Sequence, residues 1–325
     1  MKMQNENVII YASDSNYISH MAVSMLSIME TNKSESFYFL VLDNNIGEVE
    51  KNKVFDLCKN YGRRVTFYDI NKYLHKIDLN TSFNQTAFAR LFIADIVDQD
   101  KALYLDCDTV VCGSLKSLFK LELGGSLAAG VQDTVSSDLR TIVGLKKDDY
   151  YVNSGVLMLN LDLWRSSDIK SKIVACIERF NGDVPHNDQG IINAVCHRKM
   201  YILPAKYNVH DAMLFYNAEQ LKKLYDIPSY YEFNKLEEAK QNPVIIHFTE
   251  AHYGRPWFVD SNHPYKELYI HYRIQLEEYW ENIEIKAPVI KRVKRLLKQF
   301  LYRVLPFYFY KNLMVECRKR KGKSL

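Results

Sequence analysis

Short apolar runs alternate with segments of helical periodicity through the first 105 residues, and this alternation restricts the fold more than any other feature of the chain. The apolar runs have strand length and lie at 8–12, 37–42, 65–68 and 102–105. Between them, apolar side chains recur at helical spacing over 21–28, 48–61 and 87–97. Strands that alternate with helices in this way pair in parallel and form a doubly wound sheet. The sequence therefore predicts an α/β protein whose mostly parallel central sheet is flanked by helices.

The second half of the chain continues this pattern without a visible break. We expect further strands at 127–131, 155–159 and 244–246, and helices at 169–180 and 189–196. No internal repeat and no linker rich in Gly, Pro or Ser interrupts the first 285 residues. The prediction is one α/β domain over 1–285 with one continuous sheet, followed by a separate segment over 286–325.

Charge is distributed unevenly between these two parts. The chain has 43 Lys and Arg and 39 Asp and Glu. Residues 286–325 hold 13 of the basic side chains and one acidic side chain, Glu316, so this segment carries +12 and residues 1–285 carry −8. Such a segment is expected to meet an anionic surface. Because the body is acidic, no nucleic acid partner is expected.

The basic segment also has the pattern of an amphipathic helix between Pro288 and Pro306. Its apolar side chains recur at three- and four-residue steps: Val289, Ile290, Val293, Leu296, Leu297, Phe300, Leu301 and Val304. Lys and Arg occupy most other positions, and four aromatic residues follow at 307–310. We expect residues 286–325 to bind an anionic membrane surface, with the aromatic residues at the headgroup boundary. A helix docked on the acidic body and an arm for nucleic acid are the alternatives.

Two observations bear on where the protein acts. No run of 18 uncharged apolar residues occurs, and no secretory signal is visible. The six cysteines include no C-x-x-C pair, which favours reduced thiols. We expect a cytoplasmic protein that is peripheral on the inner face of the cell membrane.

Asp106 and Asp108 follow a predicted strand directly, and doubly wound sheets bind ligands at the carboxyl ends of their strands. Two carboxylates at this spacing can converge on one hard divalent cation. The same spacing recurs at Asp98 and Asp100, but there it lies at the polar end of a helix and favours a solvated turn. His247 ends another predicted strand and could complete a metal site. A turn for the two aspartates and a structural role for the histidine are the alternatives.

Two further segments carry polar side chains that could act on a ligand. Arg255 stands between Gly254 and Pro256, and a guanidinium fixed in this way could hold a diphosphate. An ordinary surface loop is the alternative. Asp188 and Gln189 lie at the start of a predicted helix, where Asp188 could instead be a cap.

Six motifs occur in the order that is typical of glycosyltransferase family 8. They are YASDSNY at 11–17, FARL at 88–91, LYLDCD at 103–108, NSGVLMLN at 153–160, NDQ at 187–189, and HFT to RPW at 247–257. The chain therefore resembles this family, which contains glycogenin and bacterial lipooligosaccharide galactosyl- and glucosyltransferases. The basic aromatic tail resembles the membrane-attaching ends of the bacterial members. The resemblance implies a Rossmann-like GT-A domain that uses a UDP-sugar and a metal and retains the anomeric configuration.

The resemblance also implies roles for individual residues. Mn²⁺, with Mg²⁺ as the alternative, would be held by Asp106, Asp108 and His247. The donor would be bound by residues that match the family's motifs: Asp14, Asn16, Arg90, Asp106, Asn153, Asp188, Gln189 and Arg255. Gln189 would lie nearest the anomeric carbon, and Asp188 would be the nucleophile if a covalent intermediate forms. Since Gln189 is a neutral amide and a poor nucleophile, front-face departure and attack are favoured.

The chain departs from the family's pattern at two places. Gly190 stands where members commonly have a carboxylate. The stretch from His247 to Arg255 is two residues longer than usual, has Glu250 in place of a Gly, and ends in Arg where the family has Lys. These departures leave the exact phosphate contact open.

The expected function is transfer of galactose or glucose from its UDP-sugar to a glycan acceptor, a lipopolysaccharide, lipooligosaccharide or capsule precursor that is lipid-linked and made at the cytosolic membrane face. Two alternatives remain. A nucleotidyltransferase that forms NDP-sugars uses similar chemistry, although the loop after the first strand has no Gly. A membrane-bound sugar-binding protein with an inactive site is the other. Since every candidate site residue precedes residue 260, the tail is predicted to be dispensable for the chemistry itself.

Overall fold

The computed structural model of the chain describes residues 6–71, 85–281 and 285–322. These residues form the strands β1 (Asn7–Asp14), β2 (Phe37–Asn44), β3 (Val65–Asp69), β4 (Lys101–Leu105), β5 (Thr109–Val111), β6 (Ala128–Gln132), β7 (Val152–Asn160), β8 (Met200–Ile202), β9 (Val209–His210) and β10 (Ile245–His247). Seven of them make the central sheet, in the order β3-β2-β1-β4-β7-β6-β8. Strand β1 pairs in parallel with β2 and β4, β2 with β3, and β6 with β8, whereas β7 runs antiparallel to β4 and β6. The prediction of a mostly parallel sheet is confirmed.

Helices cover both faces of this sheet. They are α1 (Ile18–Thr31), α2 (Glu48–Asn60), α3 (Gln85–Ala89), α4 (Ile93–Ile96), α5 (Lys116–Phe119), α6 (Ser137–Ile142), α7 (Leu161–Ser166), α8 (Ile169–Arg179), α9 (Asn187–Cys196), α10 (Asp211–Phe215), α11 (Ala218–Tyr225), α12 (Phe233–Gln241), α13 (Lys266–Ile274), α14 (Val289–Val304) and α15 (Phe307–Gly322). In β1, Ile9 and Tyr11 enter one apolar cluster, while Val8 and Ile10 enter the other. Burial on both faces explains why the strand is apolar without alternation.

The expectation of one continuous sheet is wrong. Strands β5, β9 and β10 form a second, three-stranded sheet in which β10 lies between the other two. The chain turns sharply after β4, where the Thr109 hydroxyl donates to the carbonyl of Asp106 at 2.8 Å, so β5 leaves the plane of the central sheet. In this second sheet His247 lies opposite Thr109. The turn therefore brings the end of β10 to the end of β4.

The predicted helix between Pro288 and Pro306 is confirmed as α14, and α15, which follows it, was not predicted. No helix within the described residues is both long and apolar enough to cross a membrane. The aromatic residues 307–310 do not form one exposed patch, because Tyr310 is buried and hydrogen-bonds Tyr216. Tyr308 and Phe309 are exposed.

Candidate active site

Asp106, Asp108 and His247 meet at the carboxyl end of β4. The two aspartates lie in the turn between β4 and β5, and the histidine ends β10. His247 Nε2 lies 3.2 Å from Asp108 Oδ1 and 3.7 Å from Asp106 Oδ2. One ligand atom from each of the three residues lies within 4.8 Å of the others. The structure therefore brings together all three residues that the sequence suggested for a metal.

The hydrogen bonds around His247 fix its tautomer. Asn208 donates its amide N–H to Asn153 Oδ1 at 2.9 Å, so Asn208 Oδ1 is free to accept from His247 Nδ1 at 3.1 Å. The proton therefore sits on Nδ1, and Nε2 presents a lone pair to two carboxylates. Burial lowers the pKa of His247 and so favours the neutral ring, although Asp106 opposes the shift. A lone pair facing carboxylate oxygens is repulsive without a cation between them, so this set of donors fits a divalent ion.

Gly155 of β7 makes room for this cluster. A Cβ at this position would overlap the His247 imidazole and lie 2.7 Å from Asp106 Oδ2. The backbone amide of Asp106 donates to the carbonyl of Gly155 at 2.8 Å, which holds the two strand segments together. The glycine is therefore required by close approach rather than by an unusual backbone angle.

Arg90 supplies the positive charge on the other side of Asp106. It is buried, and its guanidinium lies 2.9 Å from Asp106 Oδ1 and 3.3 Å from Asp188 Oδ2. Burial opposes ionisation of Asp106, but the Arg90 guanidinium holds the pKa of Asp106 below its ordinary value. Burial raises the pKa of Asp188, although Arg90 opposes the shift. Asp188 also accepts a hydrogen bond from the Ser154 hydroxyl at 3.0 Å.

The Gln189 side chain is held by hydrogen bonds with Ser154 and with Asp133, a residue that the sequence did not suggest. Its carbonyl accepts from the backbone amide of Ser154, and its amide donates to Asp133, both at 3.0 Å. Asp133 also accepts from Asn153 Nδ2 at 3.0 Å. The sequence holds a signal for Asp133, because it stands two positions after the predicted strand at 127–131, much as Asp106 stands directly after the strand at 102–105. The first of these strands, β6, runs in the same direction as β4, so both carboxylates reach the same edge of the sheet.

Asp14 ends β1, the strand next to β4, as the alternation predicts. Its Oδ1 accepts from the backbone amides of Asn16 and Tyr17, at 2.9 and 3.2 Å, and so forms the turn into α1. The Cys107 thiol donates to the carbonyl of Ala12 at 3.2 Å, which joins this strand end to the turn that holds Asp106 and Asp108. Asn16 is exposed. Both residues lie at the expected edge, and Asp14 also has the turn role.

Arg255 reaches the cluster of Asp106, Asp108 and His247 from the loop after β10. Its Nη1 donates to Asp108 Oδ2 and to the carbonyl of Phe248. The next aromatic residue, Trp257, stacks on His20 of α1 with ring centroids 3.7 Å apart. The loop thus spans from the aspartates to the helix that begins after β1.

Gly190 and Glu250, two of the departures from the family's pattern, each have close neighbours in the structure. A Cβ on Gly190 would overlap the carbonyl oxygen of Pro185, so this backbone has no room for a carboxylate there. Glu250, in the lengthened loop, lies 2.7 Å from Lys291 of α14. The lengthened loop therefore contacts the tail at Glu250.

Comparison with known proteins agrees with this arrangement. Residues 8–260 match the sequence model of glycosyl transferase family 8. Glycosyltransferase GlyB of Streptococcus pneumoniae serotype 4 (strain ATCC BAA-334 / TIGR4) is 28% identical over 292 residues, which cover 89% of this chain and 66% of GlyB. Lipopolysaccharide 1,2-glucosyltransferase of Escherichia coli (strain K12) is 26% identical over 310 residues, which cover 90% of this chain and 86% of that protein.

Among solved structures, galactosyltransferase LgtC in complex with donor and acceptor sugar analogs superposes on the chain with a TM-score of 0.68. The two are 23% identical, and the match covers 88% of this chain and 99% of that chain. This likeness confirms the predicted GT-A fold.

If the cluster holds a divalent ion, replacing Gly155 with alanine should weaken its binding by about 10- to 100-fold, since the added Cβ displaces His247 or Asp106 from its position. Titration calorimetry with Mn²⁺ measures the loss, and circular dichroism checks that the variant is folded. The control is Gly113→Ala, where a Cβ would meet Val244 at an ordinary 3.4 Å. Equal Mn²⁺ affinity in both variants would show that the close approach of Gly155 does not shape the site.

Proposed function

Because the chain belongs to glycosyl transferase family 8, we propose that it transfers a hexose, galactose or glucose, from a UDP-sugar to a glycan acceptor and retains the anomeric configuration. The observation that carries the proposal is the convergence of Asp106, Asp108 and the neutral Nε2 of His247 beside Arg255. Such a site suits a divalent ion and a diphosphate. The match to lipopolysaccharide 1,2-glucosyltransferase supports a lipopolysaccharide, lipooligosaccharide or capsule precursor as the acceptor.

In this proposal Asp106, Asp108 and His247 hold Mn²⁺, or alternatively Mg²⁺. When bound, the ion offsets the negative charge that develops on the departing diphosphate, a contribution of several kcal/mol. Arg255 adds a fixed cation at the same place. It pairs with Asp108, so it lies within reach of a diphosphate held by this site.

The other residues bind the nucleotide and the sugar. Asp14 and Asn16 hold the uracil and the ribose at the end of β1, next to the metal ligands. Arg90, Asn153, Asp188 and Gln189 line the donor sugar. The hydrogen bonds and ion pairs that join these four to each other and to Asp106 support a single pocket.

Retention follows from attack on the face that the leaving group vacates. The bond between the anomeric carbon and the phosphate oxygen breaks, and UDP departs with the electron pair. The acceptor hydroxyl oxygen then bonds to the same carbon and loses its proton to the departing phosphate. Gln189 stabilises the positive sugar ring by its dipole and forms no covalent bond. Arg90 and Ser154 both contact the Asp188 carboxylate, which supports an orienting role for it rather than attack.

Family membership favours a transferase over a nucleotidyltransferase, and the assembled triad of metal ligands favours an active site over an inactive one. Residues 1–285 are then the catalytic domain, and residues 286–325 are the membrane-associating segment. The protein would work in the cytoplasm as a peripheral protein on the inner face of the membrane.

The exposed side of α14 supports the membrane role. Most of its apolar side chains point away from the body: Val289, Ile290, Val293, Leu296, Leu297, Phe300 and Val304 are between 47% and 74% exposed. Tyr308, Phe309 and Leu313 of α15 are also exposed. Exposed basic side chains such as Arg292 and Arg303 flank this apolar face. An apolar strip bordered by cations suits an anionic bilayer, where each Lys or Arg contributes about 1 kcal/mol.

The reaction is tested with UDP-galactose and UDP-glucose, each radiolabelled in the sugar, in the presence of Mn²⁺, Mg²⁺ or EDTA. Sugar should be released or transferred only with a metal. Asp108→Asn should lower the rate by about 100- to 1,000-fold, because the site loses charge but not shape. The control is Asp100→Asn in the other Asp-x-Asp pair, whose side chain is 87% exposed. Wild-type turnover in EDTA, or full activity of Asp108→Asn, would contradict the metal-dependent mechanism.

Replacing Gln189 with alanine should slow turnover by about tenfold without abolishing it, because one dipolar contact is worth about 1.4 kcal/mol. The exposed Gln275→Ala is the matched control and should be unaffected. Mass spectrometry of the wild type under turnover should find no glycosyl adduct. An adduct on Asp188 would instead establish a double displacement.

Changing Ile290 and Phe300 together to glutamate should abolish sedimentation with vesicles of phosphatidylglycerol and phosphatidylcholine. The wild type should bind these vesicles at low salt, less at high salt, and neutral vesicles weakly, because both charge and apolar burial contribute. The control pair is Val49→Glu with Phe233→Glu, which are apolar and similarly exposed elsewhere (69% and 54%).

Equal partitioning of the wild type and the Ile290/Phe300 variant in all conditions would contradict the membrane role. Analytical ultracentrifugation tests whether a second copy of the chain binds this face instead. A dimer that only the Ile290/Phe300 variant loses would show that the face binds a second copy of the chain.

A further inference from the structure

Helix α14 docks on the body through its polar side. Its two buried residues are Arg295 and Gln299, each 7% exposed, whereas its apolar side faces outward. This is the reverse of the usual arrangement, in which the apolar face of a helix covers the core. Near the end of the helix, Leu301 and Tyr302 are half-buried and pack against the apolar core, so the polar contacts hold the part of the helix that precedes them.

Those contacts fall on the loop that carries Arg255. Arg295 donates to the carbonyl and to the carboxylate of Asp260, at 2.6 and 2.8 Å. Gln299 donates to the carbonyl of His252 at 2.7 Å, and Lys291 pairs with Glu250. The helix therefore contacts the loop on both sides of Arg255, including the stretch that is longer here than in the family's pattern.

Helix α14 and the loop approach each other most closely at Gly254, the residue before Arg255. Gly254 has φ +81°, and a Cβ there would overlap the Arg295 guanidinium, so only glycine allows the arginine to lie against the backbone. The Ser261 hydroxyl donates to the carbonyl of Gly254 at 2.9 Å, which joins this point to Asp260 through the chain. Burial opposes ionisation of Asp260, but the Ala287 amide and Arg295 hold its pKa below the ordinary value. The ion pair between the buried Arg295 and Asp260 therefore ties α14 to the loop.

We propose that α14 positions the catalytic loop, with Arg295 as a positioning residue that acts through Arg255. The proposal rests on the proposed function only for the identity of the reaction. On one side of the loop Arg255 contacts Asp108, and on the other Arg295 contacts Gly254 and Asp260. The tail is then part of the active site's support, contrary to the expectation that it is dispensable for the chemistry.

The test compares Arg295→Ala with Lys294→Ala, which removes the same charge from an exposed position of the same helix. Donor hydrolysis is measured without vesicles or detergent, so that membrane binding does not enter. Arg295→Ala should lower kcat/KM by about 10- to 100-fold, as loss of a residue that orients a ligand does, and Lys294→Ala should have no effect. Arg295→Lys should recover part of the loss.

A double-mutant cycle with Arg255→Ala separates positioning from general stability. If Arg295 acts through Arg255, adding Arg295→Ala to Arg255→Ala should cost about twofold or less. Full multiplication of the two losses would overturn the proposal, because it would mean that the residues act independently. So would wild-type activity in Arg295→Ala.

Hydrogen exchange gives a readout that needs no substrate. Amides of residues 248–260 should exchange faster in Arg295→Ala than in the wild type or Lys294→Ala, and unchanged exchange would overturn the proposal. If Arg295→Ala does not fold, Gln299→Ala and Arg295→Lys are measured in the same two assays. If the wild type hydrolyses no UDP-sugar, the proposed function fails, while the exchange experiment still decides whether α14 holds the loop.

Discussion

The buried negative charge at the carboxyl end of β4 is the constraint on which the rest of the site depends. Asp106, Asp108 and Asp188 lie close together, and carboxylates removed from water must be offset by cations or hydrogen bonds. Arg90 forms ion pairs with Asp106 and Asp188, and Arg255 forms one with Asp108. The parts of the chain that approach this point do so because they supply a donor, a cation or, as in β7, the absence of a side chain.

Much of this arrangement could be predicted from the sequence, because it follows from where strands end. The position after an apolar strand distinguished Asp106 from Asp98, and the same rule would have found Asp133. The second sheet could not be predicted, since β5 has three residues and β9 two, too few to show a period. Asn208, which fixes the tautomer of His247, carries no local signal at all, because its role depends on contacts with residues far away in the chain.

The tail shows a different limit of the sequence. Its periodicity predicts the helix over 289–304 correctly, yet periodicity gives two faces without saying which one meets the protein. The charges favour the polar side, because the body carries −8 and the tail +12. On this side Lys291 pairs with Glu250 and Arg295 pairs with Asp260. Docking by the polar side leaves the apolar side exposed. Self-docking and membrane binding, which are alternatives at the level of the sequence, therefore become compatible.

Docking by the polar side gives the tail a second role beside the proposed membrane attachment. A tether alone raises the local concentration of enzyme near a lipid-linked acceptor and leaves the active site as it was. Helix α14 also contacts the loop whose arginine, Arg255, reaches the candidate metal ligands. The position of the helix on the body and the position of Arg255 therefore depend on each other. Glu250 and Gly254 make this contact possible by giving Lys291 a partner and Arg295 room. Glu250, one of the departures of this loop from the family's pattern, therefore contacts the helix directly through Lys291.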